Sequence, residues 1–342
     1  MKIIHCADIH LDSALSSNFT AKQAEMRRNE LLLTFTDMVD YGAAQNVRAI
    51  IIAGDLFDGQ QVSARVENIV KDCIKSHSEI DFLYLAGNHD EEALCGKFNT
   101  LSNFKMFDDS KVSYRYGNVV ITSFPEGQKL APEDINIVVK HMELKQPERF
   151  AGCNIDYLAL GHIHKHIEGR LDSRGVYCYS GCLEARGFDE CGEQGFMELD
   201  VSSEGLRYRY VPFGRRRAWR LQVAVDDLAD EMGFSSVSLC ERIERAAADI
   251  SSKDMLCVRL VGNVMPESDI NKNYISEYFK DKFYLFRLED RTTLGIDMEG
   301  IKNERSLRAD FIKRVMESDE AEDVKKAIIV CGIRALAGEV VD

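Results

Sequence analysis

Five stretches of this 342-residue chain run from apolar residues straight into side chains that bind metal ions. They are IIHCADIH, ending on Asp8 and His10; IIIAGDLFD, with Asp55; FLYLAGNHD, with Asn88, His89 and Asp90; INIVVKH, with His141; and YLALGHIH, with His162 and His164. Imidazole and carboxylate together suit manganese, iron or zinc, whereas a magnesium or calcium site is built mainly from oxygen. One carboxylate shared by two such ions holds them roughly 3.5–4 Å apart, the spacing at which a shared water is acidified and phosphoryl oxygens are clamped. The chemistry implied is hydrolysis of a phosphate ester.

Each piece has an ordinary reading of its own. A lone His141 is more often a surface or core histidine than a ligand, and Asp55 and Asp58 in GDLFD can cap a turn. The ordered set outweighs these separate readings, because five of the eight histidines fall at the five strand ends.

Such residues meet only if the elements before them end at one place. Residues 2–6, 48–53, 81–86, 119–122, 135–140 and 157–160 are short apolar runs of strand type, and 22–45 and 62–77 have helical spacing. In the first helix Leu31, Leu32, Phe35, Met38 and Val39 share a face. Strand–helix–strand order with doubly apolar strands predicts an α/β sandwich, mixed β-sheets flanked by helices. Open α/β sheets bind ligands beyond the carboxyl ends of their strands, which is where the five sets stand. Gly54, Gly87 and Gly161 precede three of them and allow a sharp turn at the rim.

From about 161 to 211 the pattern is strand and turn. After the basic run Arg215-Arg216-Arg217 the composition changes, with helical spacing at 238–250, 270–280, 306–316 and 321–337 around strands at 218–225, 255–261 and 283–288. This predicts two domains, 1–215 and a smaller α/β domain at 216–342. The arginine run reads as a solvated linker, and Trp219 beside it offers a second use, gripping nucleic-acid backbone. In the last helix Val324, Ile328, Ile329 and Ile333 form an apolar stripe of core type.

Composition narrows the class further. A hydrophobic fraction of 45% and a charged fraction of 29% are those of a globular protein. No apolar run reaches the ~18–20 residues of a membrane span, and residues 1–8 are too short an apolar run for a secretory signal, so a cytoplasmic protein with no membrane association is expected. Ten cysteines without a CxxC pair predict reduced, mostly buried thiols. The net charge of −14 excludes nucleic-acid binding by bulk attraction alone, though two divalent ions would supply positive charge where a phosphate sits.

The series DxH, GDxxD, GNHD, a strand-borne His and GHxH resembles the calcineurin-like metallophosphoesterase superfamily. Within it, HCADIHLDS, IIAGDLFD, LAGNHD and GHIHK resemble the SbcD-type DNA-repair nucleases, the bacterial counterparts of the Mre nuclease, and HLDS resembles the YhaO-type branch. The resemblance covers residues 1–215. It implies the four-layer metallophosphoesterase fold with a capping domain at 216–342. Asp8, His10 and His164 would hold one ion and Asn88, His141 and His162 the second, with Asp55 between them. His89 would serve the leaving oxygen with Asp90 orienting its ring, and the attacking group would be the hydroxide shared by the ions.

By the same resemblance the two divalent ions would be manganese, with iron or zinc compatible. DNA would be the substrate, an SbcC-type coiled-coil ATPase the partner, and the helix at 22–45 part of a homodimer interface. Where the family has a Gly-Ser turn near the DNA, this chain has Gly181-Cys182. Two rival readings accompany the nuclease: a phosphatase or phosphodiesterase on a small molecule or protein, and a DNA-end-binding scaffold that does not cleave.

Overall fold

Residues 2–6 and 48–53 are mostly apolar on both faces. In the computed structural model they form neighbouring parallel strands, β1 (Lys2–Cys6) and β2 (Val47–Ala53). Side chains alternate across a strand, so Ile50 and Ile52 face one way and Ala49, Ile51 and Ala53 the other, all fully buried. Burying each isoleucine contributes about 1.5–3 kcal/mol. The structure describes all residues except 16–18, 60–61, 90–95, 99, 109–111, 125–127, 226–234, 265–269, 295–304 and 337–342. It divides into two compact units, Met1–Arg217 and Ala218–Asp342.

In the first unit β3 (Asp81–Leu85) and β4 (Phe104–Met106) continue the sheet beyond β2 in parallel. A second sheet is built from β5 (Ser113–Tyr116), β6 (Val119–Thr122), β7 (Ile135–His141), β8 (Tyr157–Gly161), β9 (Ile167–Arg170) and β10 (Val176–Tyr179), in the order β5-β6-β7-β8-β10-β9. The hairpin β11 (Gly195–Ser202) and β12 (Gly205–Pro212) then returns to the first sheet, pairing antiparallel with β1, to give β12-β11-β1-β2-β3-β4. The two short strands β4 and β5 have no counterpart in the apolar runs of the sequence, being too brief to show a period.

Helices α1 (Ala21–Ala44) and α2 (Ala64–Ser76) cover one face of the first sheet. Thr20 and Gln23 form a capping box that ties off the first N–H groups of α1. From α1 the predicted face, Leu31, Leu32, Phe35, Met38 and Val39, packs on Ile4, Ile50 and Ile52. The other face of the first sheet meets the second, with Ile3, Ala7, Ala49, Ala53 and Leu83 against Ile137, Val139, Tyr157 and Ala159. The alanines, Ala7, Ala53 and Ala159 among them, stand near the strand ends that carry the predicted ligands. Leu130, Phe150 and Ile155, from connections around a short 3-10 turn, cover the outer face of the second sheet. The fold is the expected α/β sandwich of mixed sheets flanked by helices.

The arginine run is solvated at Arg215 and Arg217, but each of its three side chains is held by a carboxylate. Arg215 pairs with Asp37, Arg216 makes a forked contact with Glu30 at 2.9–3.0 Å through its Nε, and Arg217 reaches Glu193 at 2.5 Å. Glu30 also meets the fully buried Arg27, whose Nη2 donates to Glu184 at 2.8 Å. Acidic residues distant in sequence thus neutralise the run, which no local pattern reveals.

In the second unit β13 (Ala218–Ala224), β14 (Met255–Val261) and β16 (Leu285–Asp290) form a parallel sheet, and β15 (Asn263–Val264) pairs with β17 (Thr293–Leu294). Helices α3 (Ser236–Ala246) and α4 (Lys272–Phe279) bury Leu239, Ile243, Ile275 and Phe279 against one face of the three-stranded sheet. Helices α5 (Leu307–Met316) and α6 (Glu322–Leu336) make a separate small core. The apolar stripe of α6 splits there: Ile329 and Ile333 pack on Ala309 and Ile312, while Val324 and Ile328 are exposed. A helix with a single helical partner covers only a narrow seam. The nine described cysteines are free thiols, six of them buried.

Candidate metal centre

β1, β2 and β3 lie side by side in parallel in the first sheet, as do β7 and β8 in the second. The chain leaves β1 into Asp8 and His10, β2 into Asp55, β3 into Asn88 and His89, and β8 into His162 and His164, while His141 is the last residue of β7. Asp8, His10, Asp55 and His162 all have positive φ, which turns each chain abruptly at its strand end. Space there exists only because three residues lack a Cβ. One added at Gly87 would lie 2.1 Å from Asp55 Oδ1, one at Gly54 2.0 Å from His141 Nδ1, and one at Gly161 1.9 Å from the Ala53 carbonyl.

Two groups of electron-pair donors result. In the first, His10 Nε2 and His164 Nε2 face each other at 3.3 Å, with Asp8 Oδ1 3.9 Å from the latter. In the second, His141 Nδ1 donates to the Ala53 carbonyl at 2.8 Å. That leaves Nε2 of the neutral ring as an acceptor, yet it faces Asn88 Oδ1 at 2.8 Å and Asp55 Oδ2 at 3.3 Å. His162 Nδ1 also lies 3.1 Å from Asn88 Oδ1. Asp55 stands between the groups, its Oδ2 3.7 Å from His10 Nε2. Acceptors converging on acceptors with so few protons between them fit cations, and the mixed nitrogen and oxygen set suits transition metals.

The electrostatics agree. Burial pushes the Asp8 carboxyl above its ordinary value despite His141 and His164 nearby. Burial likewise lowers His10, against the Asp58 carboxylate beside its Nδ1. At Asp55 burial is outweighed by the His141 imidazole and by the hydrogen bond from the His89 N–H, which hold the carboxyl down. His141 is correspondingly raised, Asp55 overcoming burial.

His89 differs from the rest in being half-exposed, at 48%. Its N–H donates to Asp55 Oδ1 at 2.9 Å, and its Nδ1 lies 3.3 Å from Asp58 Oδ1. Asp90, expected to orient this ring, lies outside the described residues. Asp58, which the sequence presents as a turn residue, is instead beside both His89 and His10, 3.5 Å from the Nδ1 of the latter.

Residues 1–166 match the calcineurin-like phosphoesterase family. This stretch is a calcineurin-like phosphoesterase domain. A domain of this family makes the chain a hydrolase acting on phosphoester bonds; the family uses a divalent metal centre, and Asp8, His10 and His164, like Asp8, Asp55 and His141, stand close enough to hold an ion. The chain is similar to the DNA double-strand break repair protein Mre11 of Sulfolobus acidocaldarius, 21% identical over 94% of this chain and 92% of that protein. It is similar to YhaO of Bacillus subtilis, described as an uncharacterized metallophosphoesterase, 24% identical over 76% of this chain and 71% of the relative. The Mre11 protein of Sulfurisphaera tokodaii is 22% identical over 68% and 67%.

Behind the candidate ligands stand groups that the motifs do not mark. Glu190 is 2% exposed and its Oε1 lies 2.7 Å from His164 Nδ1. Burial would raise this carboxyl, but His164 and Arg186 hold it down to about 2. In the sequence ARGFDE, Glu190 reads as turn charge, and only the return of β11 to the first sheet encloses it. Cys182 is fully buried, its Sγ donating to Gln194 Oε1 at 3.2 Å, so it offers nothing to a phosphate.

Proposed function

We propose that this chain is a metal-dependent nuclease of the SbcD type that hydrolyses DNA phosphodiesters in repair. The observation that carries the reading is the alignment with the Sulfolobus acidocaldarius Mre11, which spans 94% of this chain and so extends well past residue 217. In this reading Asp8, His10 and His164 hold one ion and Asn88, His141 and His162 the other, with Asp55 shared. Two divalent ions there, manganese by preference, would supply an acidified water and a clamp for the phosphoryl oxygens. Asp58 accepts the Nδ1 proton of His89 and turns Nε2 toward the leaving oxygen, a proton transfer worth about 10²–10⁴-fold in rate. Residues 216–342 serve as the accessory domain, with an SbcC-type coiled-coil ATPase and a second copy of the chain as partners in the cytoplasm. No helix among the described residues is long and apolar enough to cross a membrane.

The net charge of −14 favours a second reading, a phosphodiesterase for a small molecule or protein. One set of assays separates the two. Purified protein with Mn²⁺ should degrade linear DNA, and His89→Ala should abolish this while two ions stay bound. Cleavage of an aryl phosphodiester with single- and double-stranded DNA left intact would replace the nuclease by the second reading. Binding of DNA ends without cleavage under any metal would make the protein a scaffold.

A further inference from the structure

His164 lies between two partners with opposite demands. Its Nδ1 is 2.7 Å from Glu190 Oε1 and 3.0 Å from Arg186 Nη2. A carboxylate only accepts, so it requires a proton on Nδ1; a guanidinium only donates, so it requires Nδ1 bare. A neutral imidazole carries one proton, so the choice at Nδ1 decides the state of Nε2, 3.3 Å from His10 Nε2. With the proton on Nδ1, Nε2 presents an electron pair to an ion. With the proton on Nε2, that face is blocked and donates to His10 instead.

The surroundings favour the first state. Arg186 directs Nη2 and Nε to Glu190 Oε1 at 2.8 and 3.2 Å, and its backbone N–H to Oε2 at 2.6 Å. Gln194 Nε2 donates to the Glu190 carbonyl at 2.8 Å, fixing the turn. Arg186 is thus engaged by the carboxylate, and Glu190 Oε1 remains aimed at the ring.

We propose that Glu190, held by Arg186, is a positioning residue that selects the His164 tautomer able to bind a metal ion, and so sets the affinity of one of the two ion sites. This rests on the reading of Asp8, His10 and His164 as one pole of a two-ion centre. Carboxylates that orient ligand histidines in this way are worth about 10–100-fold in metal affinity.

Glu190→Gln keeps the shape, removes the charge and adds an N–H that can donate to Nδ1. Two measurements test it: calorimetric titration with Mn²⁺, and ¹⁵N shifts of His164 in metal-free protein at a pH where imidazole is neutral. Wild type should show the proton on Nδ1 and bind two ions. The variant should shift toward the Nε2–H tautomer and lose about 10–100-fold in affinity at one site, the other unchanged, and Glu190→Asp should recover part of the loss. Two unaltered affinities with an unaltered tautomer would overturn the proposal. So would an Nε2–H tautomer in wild type, a result that needs no folded variant. Wild-type protein that takes up no Mn²⁺ would instead remove the two-ion reading itself, a failure distinct from either of these.

Discussion

At the residue scale, histidines play two different parts in this protein. His10 and His164 face each other as ligands would, while His5, three residues before Asp8, points into the layer between the sheets. It is fully buried, its Nδ1 2.9 Å from the Tyr157 hydroxyl, and burial pushes it down to about 3 from 6.5. The unfolded chain therefore binds a proton between those values that the folded chain does not. Stability is complete above pH 6.5 and falls as pH drops toward 3, by about 1.4 kcal/mol per unit. His5→Gln removes this slope: the stability of wild type relative to the variant should decline by roughly 2 kcal/mol between pH 7 and 5. Urea unfolding at the two values measures it, and a constant difference would show that His5 does not titrate. The convergence of Asp8, His10, Asp55, Asn88, His89, His141, His162 and His164 was legible in the sequence because each ends or follows an apolar strand. Asp58 and Glu190 were not, since a carboxylate in a turn has the same appearance whether solvent or an imidazole stands beside it.

Among the elements, β1, β2, β3, β6, β7 and β8 announced themselves as apolar runs buried on both faces, and α1 through its stripe. The short β4 and β5 did not, and the α6 stripe was read too wide because, among the described residues, α5 is the helix that packs on it. The loops at the strand ends depend on what is missing from their glycines. Gly161→Ala would press a methyl group against the Ala53 carbonyl, where only backbone can yield. It should cost about 1–3 kcal/mol and weaken metal binding as well. Gly59, at φ +93° with no atom of the described residues within 4 Å of the added carbon, is the control: alanine there should cost about 1–2 kcal/mol through conformation alone and leave metal binding intact. Thermal melts and Mn²⁺ titrations of both variants check the pair, and equal loss of metal from each would refute the steric account.

For the whole molecule, the two units have separate cores, and every predicted ligand belongs to the first. An ion that binds only the folded state stabilises it, by about 2.7 kcal/mol at a hundred times its dissociation constant. In a domain of this size that is roughly 5–10 °C of melting temperature. Calorimetry should show two transitions, with chelation lowering that of Met1–Arg217 and leaving that of Ala218–Asp342 in place. A chelator that moves both equally, or neither, would contradict this.

The close pairs at the centre join one sheet to the other: the His162 N–H to Asp8, His164 to His10, His141 to Asp55 and to Asn88. Two ions seated there would act as rivets through the sandwich, and rivets report whether the plates are aligned. A small cavity cut into the seam away from the ligand atoms, as by Ile137→Val, should cost about 0.5–1.5 kcal/mol and also quicken the loss of metal. The rate at which ions escape is therefore a gauge of how firmly the two sheets are closed.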